Sequence, residues 1–196
     1  MKFILLAASA IIIAAVFHFY VPRPDPQQEQ FVAQSAELIQ QLGGGLKKEL
    51  GTAISQHGVP AAIQTCKIQA PIITAQSHAD SPLTIRRTSL KLRNLNNAPD
   101  AWEINVLNTF EQQLAQGTPM EQLVFAEVTE HNGIKQRRFM RAIPTQDVCL
   151  NCHGAEQNLS ADVKNMLNSE YPDDLATGFA LGEIRGAFSV AQTIEN

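Results

Sequence analysis

Leu38, Leu42, Leu46, Leu50 and Ile54 recur every four residues, a spacing that lays an apolar stripe along a helix running from Phe31 to about Gln56. Gly43, Gly44 and Gly45 interrupt the stripe. Each glycine costs a helix up to about 1 kcal/mol relative to alanine, so a break or swivel is expected there. Gly58 ends this helix and Pro60 is placed to open a second. In the second, "PAAIQTCKIQAPIITAQ", the apolar positions Ile63, Cys66, Ala70 and Ile73 share a face, which turns Cys66 inward. Pro71 cannot donate to the carbonyl of Lys67, so a kink or an end is expected within a turn of Cys66.

Further on, Leu83, Ile85, Arg87 and Ser89 alternate on one side of a strand, placing Arg87 on an apolar face and Arg86 on the other. A helix opened by Pro99 and closed by Gly117 puts Trp102, Val106, Phe110 and Leu114 on one side. Two strand-like runs then meet at Asn132-Gly133, a dipeptide suited to a type I′ hairpin. Ser160 is a candidate cap for a helix running towards Asn168, and "IRGAFSVAQ" reads as a last strand. The order predicts an α+β domain with an antiparallel sheet covered on one face by helices.

The N-terminus departs from this pattern. Phe3 to Tyr20 carries no charge, and its 18 residues reach the lower limit for a membrane span. Bulky aromatics stand where a signal peptidase requires small side chains, so an uncleaved signal anchor over residues 1–21 is favoured over a cleaved signal peptide. The expected arrangement is a domain on the periplasmic side of the inner membrane, with a cleaved, soluble periplasmic form as the alternative. Pro22, Pro24 and Pro26 with "QQEQ" suggest a Pro/Gln-rich linker over 22–30, leaving 31–196 as the folded domain. A formal net charge of −4 gives no support to nucleic-acid binding.

"DVCLNCHG" carries the chemistry. Cys149, Cys152 and His153 form the Cys-x-x-Cys-His pattern that fixes a haem by two thioether bonds and offers the imidazole to its iron. No second Cys-x-x-Cys pair exists to complete a zinc site. Cys66 is then an odd thiol, and two readings stand: a small buried hydrophobe or a group with work to do. Met120, Met140 and Met166 are candidate sixth ligands by residue type, with Met140 alone on a strand leading to the motif, although core packing is the commoner role for such residues. Arg87, and with less reason Arg86, is a candidate partner for a haem propionate, because a charge on an inward strand face needs an anion.

"AAIQTCKIQAP", "IRRTSLKLRNLNNAPDAWE", "CLNCHG" and "YPDDLATGFALGEIRGAFSV" together resemble a family of exported c-type haem proteins with a PAS-like fold, a domain of unknown function named after a cyanobacterial haem protein. The resemblance runs from about Leu46 to Val190. It implies a PAS-like antiparallel sheet flanked by helices, one covalent haem c, and axial ligation of the iron by His153 and Cys66. Similar domains serve as input modules of membrane-bound sensors, which implies a redox or gas sensor responding to electrons or to CO or NO through a signalling partner. The alternative is a periplasmic electron-transfer cytochrome with a redox protein partner. A haem enzyme, a peroxidase or reductase, is the weakest reading, since no acid–base pair emerges beside the motif.

Overall fold

The computed structural model describes residues 25–131 and 133–195. The first helix, α1 (Pro26–Ser77), is capped by Asp25, whose carboxylate accepts from the Gln27 amide at 3.0 Å. It is two arms rather than one rod. Gly58 has φ 79° and ψ 171°, a conformation open to glycine and closed to most residues, and it folds the second arm back along the first. The glycine run is where the arms meet: a Cβ on Gly45 would lie 3.4 Å from Ile73 Cγ2, and one on Gly43 would lie 3.3 Å from Phe188 Cζ. Gly43 to Gly45 therefore do not break the helix as expected; their missing side chains admit the second arm and the sheet. Nor does the helix end at Pro71: it carries on to Ser77, and the non-helical backbone comes at Gly58.

Four strands follow, β1 (Thr84–Thr88), β2 (Val124–His131), β3 (Ile134–Pro144) and β4 (Ile184–Thr193), in the antiparallel order β1-β4-β3-β2. The hairpin register pairs His131 with Ile134, and Gly133 has φ 76°, in keeping with the turn expected there. Helix α2 (Ala101–Ala115) begins with a capping box in which Asp100 and Glu103 each bond the other's amide. Two short helices, α3 (Asp147–His153) and α4 (Ala161–Glu170, capped by Ser160), lie between β3 and β4.

The strands alternate their apolar residues to both sides, so the sheet is covered on two faces rather than one. On one side Phe31, Leu38, Ile39 and Leu42 of α1 pack on Ile85, Phe139 and Val190. On the other, Val106, Leu107 and Phe110 of α2 pack on Met140, Ala142 and Ala187. A third core joins Ile63 on the second arm of α1 to Leu159, Val163 and Leu167, with Cys152 and Tyr171 against it.

The expectation of a membrane anchor is also corrected. No helix of the described residues is long and apolar enough to cross a membrane. The segment expected to do so, Phe3 to Tyr20, lies outside the described residues, and the supposed linker from Pro26 onward is the first turn of α1. The apolar residues of α1 are taken up by the protein's own cores, and Glu29, Glu37, Lys47, Lys48 and Glu49 stand along the same helix. The transmembrane or signal-anchor element of the fold, the inner membrane as a partner and the anchored location are therefore withdrawn.

Candidate haem site

The seven residues of α3 make two turns, enough to bring Cys149 and Cys152 to neighbouring positions on one side with His153 next to them. The helix ends at Gly154, where ψ swings to −177°, and the turn leaves no room for a side chain, since a Cβ there would come 2.7 Å from the Leu150 carbonyl oxygen. The chain beyond is tied back by the Gly178 and Phe179 amides, each donating at 2.9 Å to the carbonyls of Gly154 and His153.

His153 is held in one tautomer. Its Nδ1–H donates to the carbonyl of Ala176 at 2.6 Å, which leaves Nε2 with a lone pair. Two guanidinium groups donate to that nitrogen, Arg93 Nη1 at 3.3 Å and Arg185 Nη2 at 3.4 Å. Burial, then the charges of Arg185 and Arg93, press its pKa well below the ordinary histidine value. The ring is thus kept neutral and oriented, the condition in which a histidine ligates a metal. The edge of Phe179 meets it at a centroid distance of 6.3 Å.

Asp174 organises this arrangement. One carboxylate oxygen accepts from the Ala176 amide at 2.8 Å, fixing the carbonyl that orients His153. The other accepts from Arg93 Nε and Nη2 at 3.1 and 2.9 Å, and Arg93 Nη2 also reaches the Cys152 carbonyl at 2.6 Å. The loop before α2 and the loop after α4 are thereby locked to the turn that carries the cysteines.

Cys66 lies on the second arm of α1, one turn beyond Ile63, which shares a core with Cys152. Burial pushes its thiol pKa up, and Arg87 is the strongest influence in the other direction. Cys66 acts on the Cys152 thiol, raising its pKa, and Arg93 acts on both thiols in the opposite direction. Arg87 is itself held below the ordinary arginine value by burial, opposed by Cys66 and then Tyr171. All three cysteines are free. Among the described residues no three His, Cys, Asp or Glu side chains gather to hold a bare metal ion. His153 and Cys66 instead offer single donors on different elements.

Other candidates fall away. Arg86 turns to the α2 side, where it pairs with the fully buried Glu103 at 3.4 Å and donates to the Ala98 carbonyl. Met140 is sealed in the core beneath α2, and Trp102 packs against that core with its indole bonded to Glu127. Arg93, Tyr171, Asp174 and Arg185 were not found from the sequence. Arg185 carried the same signal that singled out Arg87, a charge inside an apolar strand, while Arg93 and Asp174 lie in loops whose meeting depends on the tertiary fold.

A family model described as Tll0287-like (Tll0287) matches residues 25–193. The chain belongs to the Tll0287-like family. Among solved structures it is similar to one titled "Crystal structure of the cyanobacterial heme-protein Tll0287", with 27% identity over 85% of this chain and 95% of that one and a TM-score of 0.54. No curated protein matches. The resemblance read from the four sequence motifs is thus shown, and with it a PAS-like α+β fold from a family of haem proteins.

Proposed function

We propose that this Tll0287-like chain is an electron-transfer cytochrome of the periplasm. In this reading Cys149 and Cys152 form the thioether bonds to one haem c, and His153 Nε2 and Cys66 Sγ are the axial ligands of its iron. Arg87 faces a propionate. The observation that carries the reading is convergence: the reversal of α1 at Gly58 brings the arm that bears Cys66, more than eighty residues before the motif, onto the core that Cys152 packs against, within electrostatic reach of that thiol. The donor set fits the group, since one neutral imidazole whose Nε2 is an acceptor and one thiol under the influence of cations are ligands such an iron takes.

When bound, haem supplies a one-electron couple. The chain's part is to hold both donors still. His153 is fixed through Ala176, Cys66 is set within a helical arm packed on α4, and Arg87 favours the thiolate over the thiol. Ligands mounted on two packed elements change position little when an electron arrives, which suits a carrier. The side chains that touch Nε2 are guanidiniums, which neither give nor take protons near neutrality, so the site is built for binding rather than acid–base catalysis.

The test is the spectrum of the loaded protein in both oxidation states. Cys66→Ser is expected to lose the ferric low-spin thiolate signature in absorption and electron paramagnetic resonance while covalent haem survives. An unchanged ferric spectrum would remove Cys66 as ligand. Loss of the thiolate on reduction of the unaltered protein, with CO or NO taken up in its place, would refute the carrier.

A further inference from the structure

Arg185 has a cation's cost without a protein carboxylate to offset it. It stands on β4, part-buried, with its guanidinium 5.0 Å above the ring of Phe179. Its polar contacts are the Ser89 hydroxyl at 3.4 Å and His153 Nε2 at 3.4 Å, both neutral. Among the described residues no carboxylate comes within 4 Å of it. Its neighbours make the position worse, because Arg93 contacts the same His153 nitrogen. Two guanidiniums that share one acceptor stand within about 7 Å of each other and repel. Burial, with Arg93 and Arg87 behind it, pushes Arg185 down to about 10. A buried cation among cations persists in a fold when an anion completes the set.

The three arginines differ in what they have left to offer. Arg93 is engaged by Asp174 through two nitrogens and by two carbonyl oxygens. Arg87 acts chiefly on Cys66, on the other ligand's side. Arg185 alone combines direct contact with the ligating nitrogen of His153 and no charged partner. Phe179 fixes its place, because one ring carries both Arg185 on its face and His153 at its edge, with Lys91 Nζ 4.6 Å from its centroid.

We infer that Arg185 binds a propionate carboxylate of the haem from the His153 side, the role that sequence reasoning had offered to Arg86. The inference rests on the haem reading above and deepens it. The carboxylate would neutralise Arg185, and the bidentate geometry available to a guanidinium would hold that carboxylate in one orientation, while the two thioether bonds set the position of the ring. Lysine at this position would retain the charge and lose the fork.

The experiment compares the unaltered protein with Arg185→Gln, Arg185→Lys and Arg86→Gln, each produced with a cytochrome c maturation system. Haem content by the pyridine haemochrome assay reports on the underlying reading, and the propionate bending band in resonance Raman reports on Arg185. Arg185→Gln should shift that band and lower the midpoint potential, since a lost positive charge favours ferric iron. Arg185→Lys should restore most of the potential but not the band position, and Arg86→Gln should leave both unchanged. A protein in which Arg185 merely braces Ser89 and Phe179 would lose thermal stability in the Gln variant without moving the band, and that result overturns the inference. Unaltered protein without covalent haem would overturn the reading beneath it and this inference together.

Discussion

Asp174 is the residue whose loss should be felt furthest from its own atoms. It pairs with Arg93 at 2.9 Å, and the two side chains are only 9% and 12% exposed. Removing one partner of a buried ion pair costs about 3–5 kcal/mol, because the other charge is left in a low-dielectric site. Arg93 would keep the Cys152 and Ala176 carbonyls, so the lower end, about 3 kcal/mol, is the expectation for Asp174→Asn. For a domain of this size that corresponds to a fall in Tm of roughly 6–12 °C. Asparagine can still accept from the Ala176 amide, whereas Asp174→Ala forfeits that bond too and should lose about 1 kcal/mol more. The second variant also frees the carbonyl that orients His153, so the midpoint potential should move in Asp174→Ala and little in Asp174→Asn. Thermal melts followed by circular dichroism, with potentiometry of the same samples, measure both. Melting within 2 °C of the unaltered protein in both variants would refute the pairing, and equal potentials in all three would refute the orienting role of the Ala176 carbonyl.

Two further outcomes follow from the geometry. Gly186 has φ 151°, and a Cβ there would lie 2.3 Å from the Thr88 carbonyl oxygen. Gly186→Ala should therefore prise β1 from β4 at a cost of at least about 2 kcal/mol, read as a lower urea midpoint, and an unshifted midpoint would contradict it. His153 is held far below its ordinary value of 6.5, so the unfolded chain takes up a proton from pH 6.5 downward that the folded chain refuses. Stability should fall as pH drops through that window, by roughly 1 kcal/mol per unit, and a rise in urea midpoint between pH 7.5 and 5.5 would show the sign to be wrong.

What could be read without the fold divides along a physical line. The periodic elements were legible, because burial repeats at 3.6 or 2 residues: the Leu38–Ile54 stripe, the strand with Ile85 and Arg87, the hairpin at Gly133 and the helix with Phe110 all stand where their patterns put them. Propensity alone misjudged Gly43 to Gly45 and Pro71. The cost of a glycine in a helix is about 1 kcal/mol, and packing Phe188 and Ile73 into the space outweighs it. Cys149, Cys152 and His153 were legible as a local motif on one short helix, whereas attention to Cys66 came through family likeness. Arg93, Asp174 and Ala176 escaped, since their roles are hydrogen bonds between loops far apart in sequence, and no spacing encodes such bonds. Arg86 was misplaced because alternation assigns a face and does not reveal that Glu103 waits on it.

The reversal at Gly58 means that a single helical hairpin serves two masters. Its first arm is a wall of the sheet's core and its second arm is the beam on which Cys66 is mounted, with Gly45 and Ile73 as the weld between them. A substitution in the sheet's core, at Leu42 or Phe188, can therefore shift the beam without touching anything next to Cys66 or His153. Natural variation among such domains has a route to retune the spacing between Cys66 and His153 through distant packing, leaving both side chains themselves unaltered.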